Sequence, residues 1–228
     1  MLDKKRLTVV AGHYGSGKSE FAMNLACGTA EAEGDCLLCD LDVVTPYFRV
    51  RDQEEALKKA GVTLVAPHVP SGGEGDIPAL PAALLRAFQD KSRRAVIDLG
   101  GDPGGARVLA RFASMLERSE SQVLLVLNAN RPETATAEQA LSYAQALSAA
   151  MGVAFTGIVS NTHLCGETGE EDLLRGAALS EELSRRTGLP VVCHAVTAEL
   201  VERAKAVLQG PLFPLRLYLK KPWEVDQS

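Results

Sequence analysis

The fold is decided by residues 7–19, LTVVAGHYGSGKS. The first five of these residues are apolar or β-branched and predict a buried strand, and the apolar spacing of EFAMNL from Glu20 onward predicts a helix. Between them, Gly12–Ser19 matches the pattern G-x-x-x-x-G-K-[ST] at every fixed position. A strand, a glycine-rich loop and a helix start in this order predict a phosphate-binding loop.

The chemistry of such a loop explains its residue types. Glycines let backbone N–H groups approach phosphate oxygens without a side-chain clash, and the following helix start adds unpaired N–H groups. Lys18 is expected to reach the β- and γ-phosphates and the Ser19 hydroxyl to ligate Mg²⁺. We therefore expect a nucleoside polyphosphate to contact the whole loop: Gly12, His13, Tyr14, Gly15, Ser16, Gly17, Lys18 and Ser19.

Strand-like and helix-like segments alternate along the rest of the chain. Short apolar runs occupy 7–11, 36–40, 62–66, 95–99, 122–127, 155–160 and 191–195, and helical spacing occupies 20–33, 106–117, 134–150, 170–186 and 198–208. This alternation predicts an α/β fold, a doubly wound and mostly parallel sheet of about seven strands with helices on both faces. We expect one domain over residues 1–228, with an extra strand at 212–220 where apolar residues alternate.

Composition narrows the function classes. The formal net charge of -5 disfavours a protein that binds nucleic acid by electrostatic attraction. No apolar run approaches the roughly 20 residues of a membrane-spanning helix, and five scattered cysteines suit a reducing cytoplasm. Cys36 and Cys39 lie three apart on a predicted strand and point to opposite faces, so we expect packed thiols there.

Carboxylates follow two of the predicted strands. Asp98 closes the run AVID and leads into LGGD, which suits a Mg²⁺ ligand followed by Gly101, whose N–H is free for a γ-phosphate. Asp40 and Asp42 close the second strand two residues apart and so point the same way; one is expected to assist the metal and the other to orient a water. The alternative for Asp98 is a helix cap or turn residue, and the alternative for Asp40 and Asp42 is a solvated entry to a loop.

These motifs together resemble the MinD/ParA/CobQ–CobB family of the signal-recognition/MinD/BioD class of P-loop proteins. The resemblance spans residues 8–196 and rests on the loop, the acidic pair, the D-x-G-G strand and the late strand that ends at Asn161. It implies that Asp42 activates water, that Asp40 and Asp98 lie at the Mg²⁺ positions, and that Asn161 lies at a base-recognition position. Asn161 as a plain turn residue is the alternative.

Two departures refine the resemblance. ParA-type members carry a signature lysine where this chain has His13, which points toward less specialised relatives such as metallocentre-insertion ATPases and biotin-pathway ligases. Leu164 stands where a guanine-binding site would carry an aspartate, which favours ATP.

We therefore expect Mg²⁺-dependent ATP binding and slow ATP hydrolysis, with Lys18 and Asp42 as the catalytic residues. The protein would be a nucleotide-controlled switch or an accessory ATPase, for example in metallocentre or cofactor assembly, that acts on a protein partner or as a homodimer. The alternatives are an ATP-dependent ligase of the BioD/CobB type that activates a small carboxylate, and a binding module with negligible hydrolysis. The sequence leaves open whether Arg49, Arg51 and Arg131 meet phosphate, substrate or solvent.

Overall fold

The computed structural model describes residues 5–42, 50–66, 84–85, 87–116 and 120–219. Within them one sheet contains eight strands: β1 (Leu7–Gly12), β2 (Cys36–Leu41), β3 (Val62–Val65), β4 (Ala95–Leu99), β5 (Ser121–Leu127), β6 (Gly157–Ser160), β7 (Val191–Thr197) and β8 (Leu212–Leu215). Their order is β3-β2-β4-β1-β5-β6-β7-β8, and each neighbouring pair is parallel.

The predicted fold class is confirmed, with eight strands rather than about seven. Successive residues of β1 alternate between two separate cores, since Val9 belongs to one buried cluster and Val10 to the other. Both faces of the sheet are therefore covered, as expected for a parallel sheet. The eighth strand, β8, lies within residues 212–220 and pairs with β7.

The helices with described bounds are α1 (Lys18–Glu33), α2 (Glu54–Lys59), α3 (Pro103–Ala106), α4 (Ala137–Met151), α5 (Glu170–Thr187) and α6 (Val201–Val207). The helix expected at 106–117 differs, because α3 continues as a 3₁₀ segment over Arg107–Met115. The Asp102 side chain caps α3 by accepting from the N–H groups of Gly104 and Gly105, two residues of low helix propensity. Among the described residues, no helix has both the length and the hydropathy needed to cross a membrane.

The topology gathers the predicted site residues at one edge of the sheet. β1 lies between β4 and β5, and β2 lies beyond β4, so the carboxyl ends of these strands meet beside the phosphate loop. Asp40 on β2 and Asp98 on β4 are direct partners in the parallel register. Ligands of open α/β sheets bind at this carboxyl edge.

Candidate functional site

The phosphate loop joins β1 to α1 and needs its three glycines for different reasons. Gly15 and Gly17 have φ angles of 73° and 83°, which L side chains rarely adopt. A Cβ on Gly12 would lie 2.4 Å from the carbonyl oxygen of Val126 on β5, so Gly12 is needed for close packing. The two glycines of the G-x-x-x-x-G pattern are therefore explained by the close packing at Gly12 and the positive φ at Gly17.

Three side chains from the ends of β5 and β6 hold the loop by its carbonyl groups. Asn161 is 2% exposed, and its Nδ2 donates to the Ser16 carbonyl at 2.8 Å. Arg131 Nε and Asn128 Nδ2 both donate to the Gly15 carbonyl, at 2.8 and 3.3 Å. The Asn161 amide nitrogen thus serves the loop itself, and the base-recognition role that the family resemblance implies stays a prediction.

Lys18 lies in a buried group of acidic side chains. Its Nζ is 3.0 Å from Oδ2 of Asp42, and both side chains are almost fully buried. The backbone N–H of Asp42 donates to Oδ1 of Asp40 at 3.0 Å, which fixes the two carboxylates relative to each other. Burial alone would lower the pKa of Lys18, but the negative charges of Asp98, Asp42 and Asp40 outweigh it and raise the pKa. Lys18 therefore stays charged.

Asp98 is the most deeply buried acid of this group. It is 0% exposed, and neither carboxylate oxygen makes a hydrogen bond of ordinary length and angle within the described residues, although the Ser19 hydroxyl lies nearby. Burial raises the pKa of Asp98 to about 7; the charge of Lys18 and the nearby Ser19 hydroxyl oppose this rise, whereas the charges of Asp40 and Asp42 add to it. A buried acid with both oxygens unpaired is costly unless a cation or a proton meets it.

These residues fit Mg²⁺ as part of a nucleotide complex. Mg²⁺ is usually held by one or two carboxylates together with substrate phosphates and water. The unpaired oxygens of Asp98, the Asp40 carboxylate and the Ser19 hydroxyl provide such a partial ligand set. In the described part of the chain, no group of three or more His, Cys, Asp or Glu side chains is arranged to hold a metal ion alone. Phosphate oxygens would complete the coordination.

The D-x-G-G turn after β4 packs against the loop. A Cβ on Gly101 would lie 2.8 Å from the backbone nitrogen of Tyr14, so only glycine fits. The hydroxyl of Tyr143 on α4 donates to the Gly101 carbonyl. The His13 ring packs edge-on against the Tyr143 ring, and the two ring centroids are 4.9 Å apart. The residue at the ParA-type lysine position is thus packed against α4.

Two further contacts of His13 fix its ring. Its Nδ1 donates to the Tyr14 carbonyl at 2.9 Å, and its Nε2 lies 3.6 Å from the Glu133 carboxylate. Tyr14 itself is half exposed at the mouth of the loop. The sequence shows His13 as a departure from the ParA pattern, but not these partners.

The structure thus brings together Gly12–Ser19, Asp40, Asp42, Asp98, Gly101 and Asn161. Arg49 and the side chain of Arg51 lie outside the described residues. Sequence reasoning missed Tyr143 and His163, and it left Asn128 and Arg131, a polar cluster at a strand end, without a defined role. Asn128 and Arg131 directly follow a buried strand, which is the one sequence signal that marks them.

The strand order and the loop geometry settle the fold. It is that of a P-loop nucleotide-binding protein. Solved structures that share it include chloroplast FtsY from Physcomitrella patens (18% identity, TM-score 0.53, covering 84% of this chain and 58% of that one). Another is the signal recognition particle receptor FtsY from Elizabethkingia anophelis in complex with GDP (21% identity, TM-score 0.52, covering 86% of this chain and 58% of that one). A third is FtsY from Thermotoga maritima (19% identity, TM-score 0.50, covering 86% of this chain and 63% of that one).

These similarities show the fold alone. The chain spans about three fifths of the length of the FtsY structures it matches. No family model matches the chain, and no curated protein matches it either. The chain has the fold of a P-loop nucleotide-binding protein, and its membership of the signal-recognition/MinD/BioD class and of the narrower MinD/ParA/CobQ–CobB family stays a prediction.

Proposed function

We propose that this protein binds Mg²⁺-ATP at Gly12–Ser19, hydrolyses it slowly, and uses the nucleotide state to control a protein partner. One observation carries the proposal. Lys18, at the start of α1, faces three carboxylates from the ends of β2 and β4, and one of them, Asp98, is wholly buried and makes no hydrogen bond of ordinary geometry within the described part of the chain. That arrangement suits an anion that arrives together with a divalent cation.

Each residue then has a defined task. Lys18 and the backbone N–H groups of the loop bind the β- and γ-phosphates, while Ser19, Asp98 and Asp40 hold Mg²⁺. The bound Mg²⁺ supplies positive charge to the β- and γ-phosphate oxygens. Asp42, which is hydrogen-bonded to Lys18, orients the attacking water once the phosphates replace it on Lys18.

The rate is expected to be low because the loop lacks the ParA-type lysine. His13 occupies that position, and its ring is engaged by Tyr143, Tyr14 and Glu133. An absent arginine-type contact is worth about 10³–10⁵ in the rate of phosphoryl transfer. We expect basal hydrolysis well below about one turnover per second, and faster hydrolysis with the partner bound.

GTP is the second candidate, because one of the solved structures with this fold is an FtsY in complex with GDP. We favour ATP because Leu164, 46% exposed, stands where a guanine-binding site would place a carboxylate. Competition of GTP and ATP for a labelled nucleotide separates the two. Equal or tighter GTP binding would refute the preference for ATP and make GTP the nucleotide proposed for the same loop and metal ligands.

Calorimetry of the purified protein with Mg²⁺-ATP tests the proposal. Lys18→Ala removes the one lysine of the loop and should weaken binding by at least about 10-fold. The matched control is Lys58→Ala, an exposed lysine on α2, which should bind as the wild type does. Excess EDTA should weaken wild-type binding, because the ionised carboxylates repel a nucleotide that lacks its cation. Unchanged affinity in Lys18→Ala would overturn the proposal.

A stimulation assay separates the switch from a BioD/CobB-type ligase. A ligase would turn over faster when a small carboxylate is added, whereas a switch would respond only to its partner protein. Size-exclusion chromatography with and without nucleotide then shows whether that partner is a second copy of this chain.

A further inference from the structure

The turn after β5, residues 128–134, lies against the outer side of the phosphate loop. Arg131 Nε donates to the Gly15 carbonyl at 2.8 Å, and Asn128 Nδ2 donates to the same oxygen at 3.3 Å. The turn is itself rigidly built, because the N–H groups of Arg131 and Asn130 both bond to Asn128, one to its carbonyl and the other to its side chain. The turn therefore places the Arg131 guanidinium against the Gly15 carbonyl of the phosphate loop.

Gly15 has the geometry that such a contact requires. The position of a Cβ on Gly15 would lie 2.8 Å from both the Arg131 Nε and its guanidinium carbon. The guanidinium thus occupies the space that any larger residue would take. The φ of 73° at this position favours glycine, and a larger residue would also push the guanidinium away from the loop.

The charge of Arg131 also matters to the loop. Three carboxylates surround Lys18, so negative side chains exceed positive ones among the described residues where we expect the phosphates to bind. The field of Arg131 reaches His163, whose ring lies beside Gly17: burial, together with the charge of Arg131, lowers the pKa of His163 to about 4. Arg131 therefore contacts the loop at Gly15 and acts electrostatically on His163 beside Gly17.

We infer that Arg131 is a positioning residue that holds the phosphate loop, through the Gly15 carbonyl, in its phosphate-binding shape. The inference rests on the proposed nucleotide binding. Arg131 touches the carbonyl side of the loop, so it acts on the phosphates through the loop backbone and its own field. A donor on the Gly15 carbonyl fixes the peptide plane between Gly15 and Ser16, and thus the entry to the turn that presents the N–H groups of Gly17 and Lys18.

Three variants test this assignment. Arg131→Ala should weaken Mg²⁺-ATP binding about 10-fold, because a charge-assisted hydrogen bond to the loop is lost. Arg131→Lys keeps the charge and a donor and should bind within about threefold of the wild type. The control is Arg175→Ala, which removes an exposed arginine that contacts Asn130 in the same turn but not the loop. It should bind nucleotide normally.

Two readouts separate positioning from general stability. Hydrogen exchange without nucleotide should rise in Arg131→Ala at residues 12–17 and stay unchanged in β2 and β4. NMR titration of the imidazoles should show the pKa of His163 moving up toward its ordinary value in Arg131→Ala and not in Arg175→Ala. Exchange that rises equally across the whole sheet, or nucleotide affinity unchanged in Arg131→Ala, would overturn the inference.

The same experiments distinguish the two claims. If the wild type binds no nucleotide, the proposed function fails, and the exchange and titration data still decide whether Arg131 orders the loop. If the wild type binds and Arg131→Ala binds equally well, only the role of Arg131 fails.

Discussion

Asp42→Asn should make this protein bind Mg²⁺-nucleotide more tightly while it hydrolyses it more slowly. In the structure Lys18 Nζ donates to Asp42 Oδ2 at 3.0 Å, and both side chains are at most 7% exposed. A phosphate that enters the loop competes with this carboxylate for Lys18. Asparagine keeps the size of the side chain and removes the competing charge.

The magnitude follows from the kind of contact that is lost. A hydrogen bond to a charged group contributes about 1.5–3 kcal/mol. Lysine has three donors, so a phosphate displaces only part of this interaction. We expect a gain of about 1.4 kcal/mol, or about 10-fold in affinity. Hydrolysis should fall by about 10²-fold or more, the usual contribution of a positioned general base.

Calorimetry with Mg²⁺-ADP and single-turnover hydrolysis of ATP measure the two effects separately. The control is Asp52→Asn, an exposed carboxylate in the 3₁₀ segment before α2, which should change neither. We expect the variant to stay folded, because Asp40 and Asp98 still balance the charge of Lys18. Thermal unfolding checks this. Weaker ADP binding, or single-turnover hydrolysis at the wild-type rate, would refute this account of Asp42.

Three further outcomes are expected. Burial lowers the pKa of His163 to about 4, so the folded state binds this proton less tightly than the unfolded chain does, and the free energy of unfolding falls as the pH drops from about 6.5 to 4. His163→Gln should remove roughly 3 kcal/mol of that fall, as measured by urea unfolding across this pH range. An unchanged pH dependence in the variant would contradict this expectation. Asn24→Ala should cost about 1–3 kcal/mol of stability and leave ATP affinity intact, because Asn24 exchanges two 2.8 Å hydrogen bonds with the backbone of Arg216; a loss below about 0.5 kcal/mol would contradict it. Gly17→Ala should abolish nucleotide binding in calorimetry, because its Cβ would lie 2.2 Å from Asn161 Nδ2 at a φ of 83°, and wild-type affinity would show that the loop relaxes easily.

The fold could be predicted because its signals are local. Continuous apolar strands, such as β1 and β5, are what a sheet covered on both faces requires, and the glycine loop marks the first strand. The 3₁₀ segment at Arg107–Met115 could not be predicted, because its apolar spacing looks helical.

The acidic side of the site was also within reach of the sequence. Asp40, Asp42 and Asp98 each stand at the end of an apolar run, and parallel strands bring their carboxyl ends to one edge. The pairing of Asp42 with Lys18 depends on the strand order, which places β4 between β1 and β2. No local pattern encodes that order.

Glu20, which follows the phosphate loop directly, shows why contacts between residues far apart in the chain could not be predicted. Glu20 reads as an ordinary acid in the first turn of α1, which the helix dipole favours. In the structure it is half-buried and accepts from the N–H groups of Tyr218 and Leu219 at 2.6 and 3.1 Å. Burial raises the pKa of Glu20 to about 7. A partner 198 residues away leaves no trace in the local sequence.

The two sides of the phosphate loop are built for different tasks. On the side of β5 and β6, neutral or positive side chains, those of Asn128, Arg131 and Asn161, hold the loop by its carbonyl groups. On the side of β2 and β4, the carboxylates face Lys18, so a phosphate that binds this lysine competes with Asp42 for it. Nucleotide binding should therefore change the end of β2 and leave β6 as it is. Hydrogen exchange with and without Mg²⁺-ADP checks this, and a change at residues 157–161 larger than that at residues 36–42 would show that the loop responds through its clamped side instead.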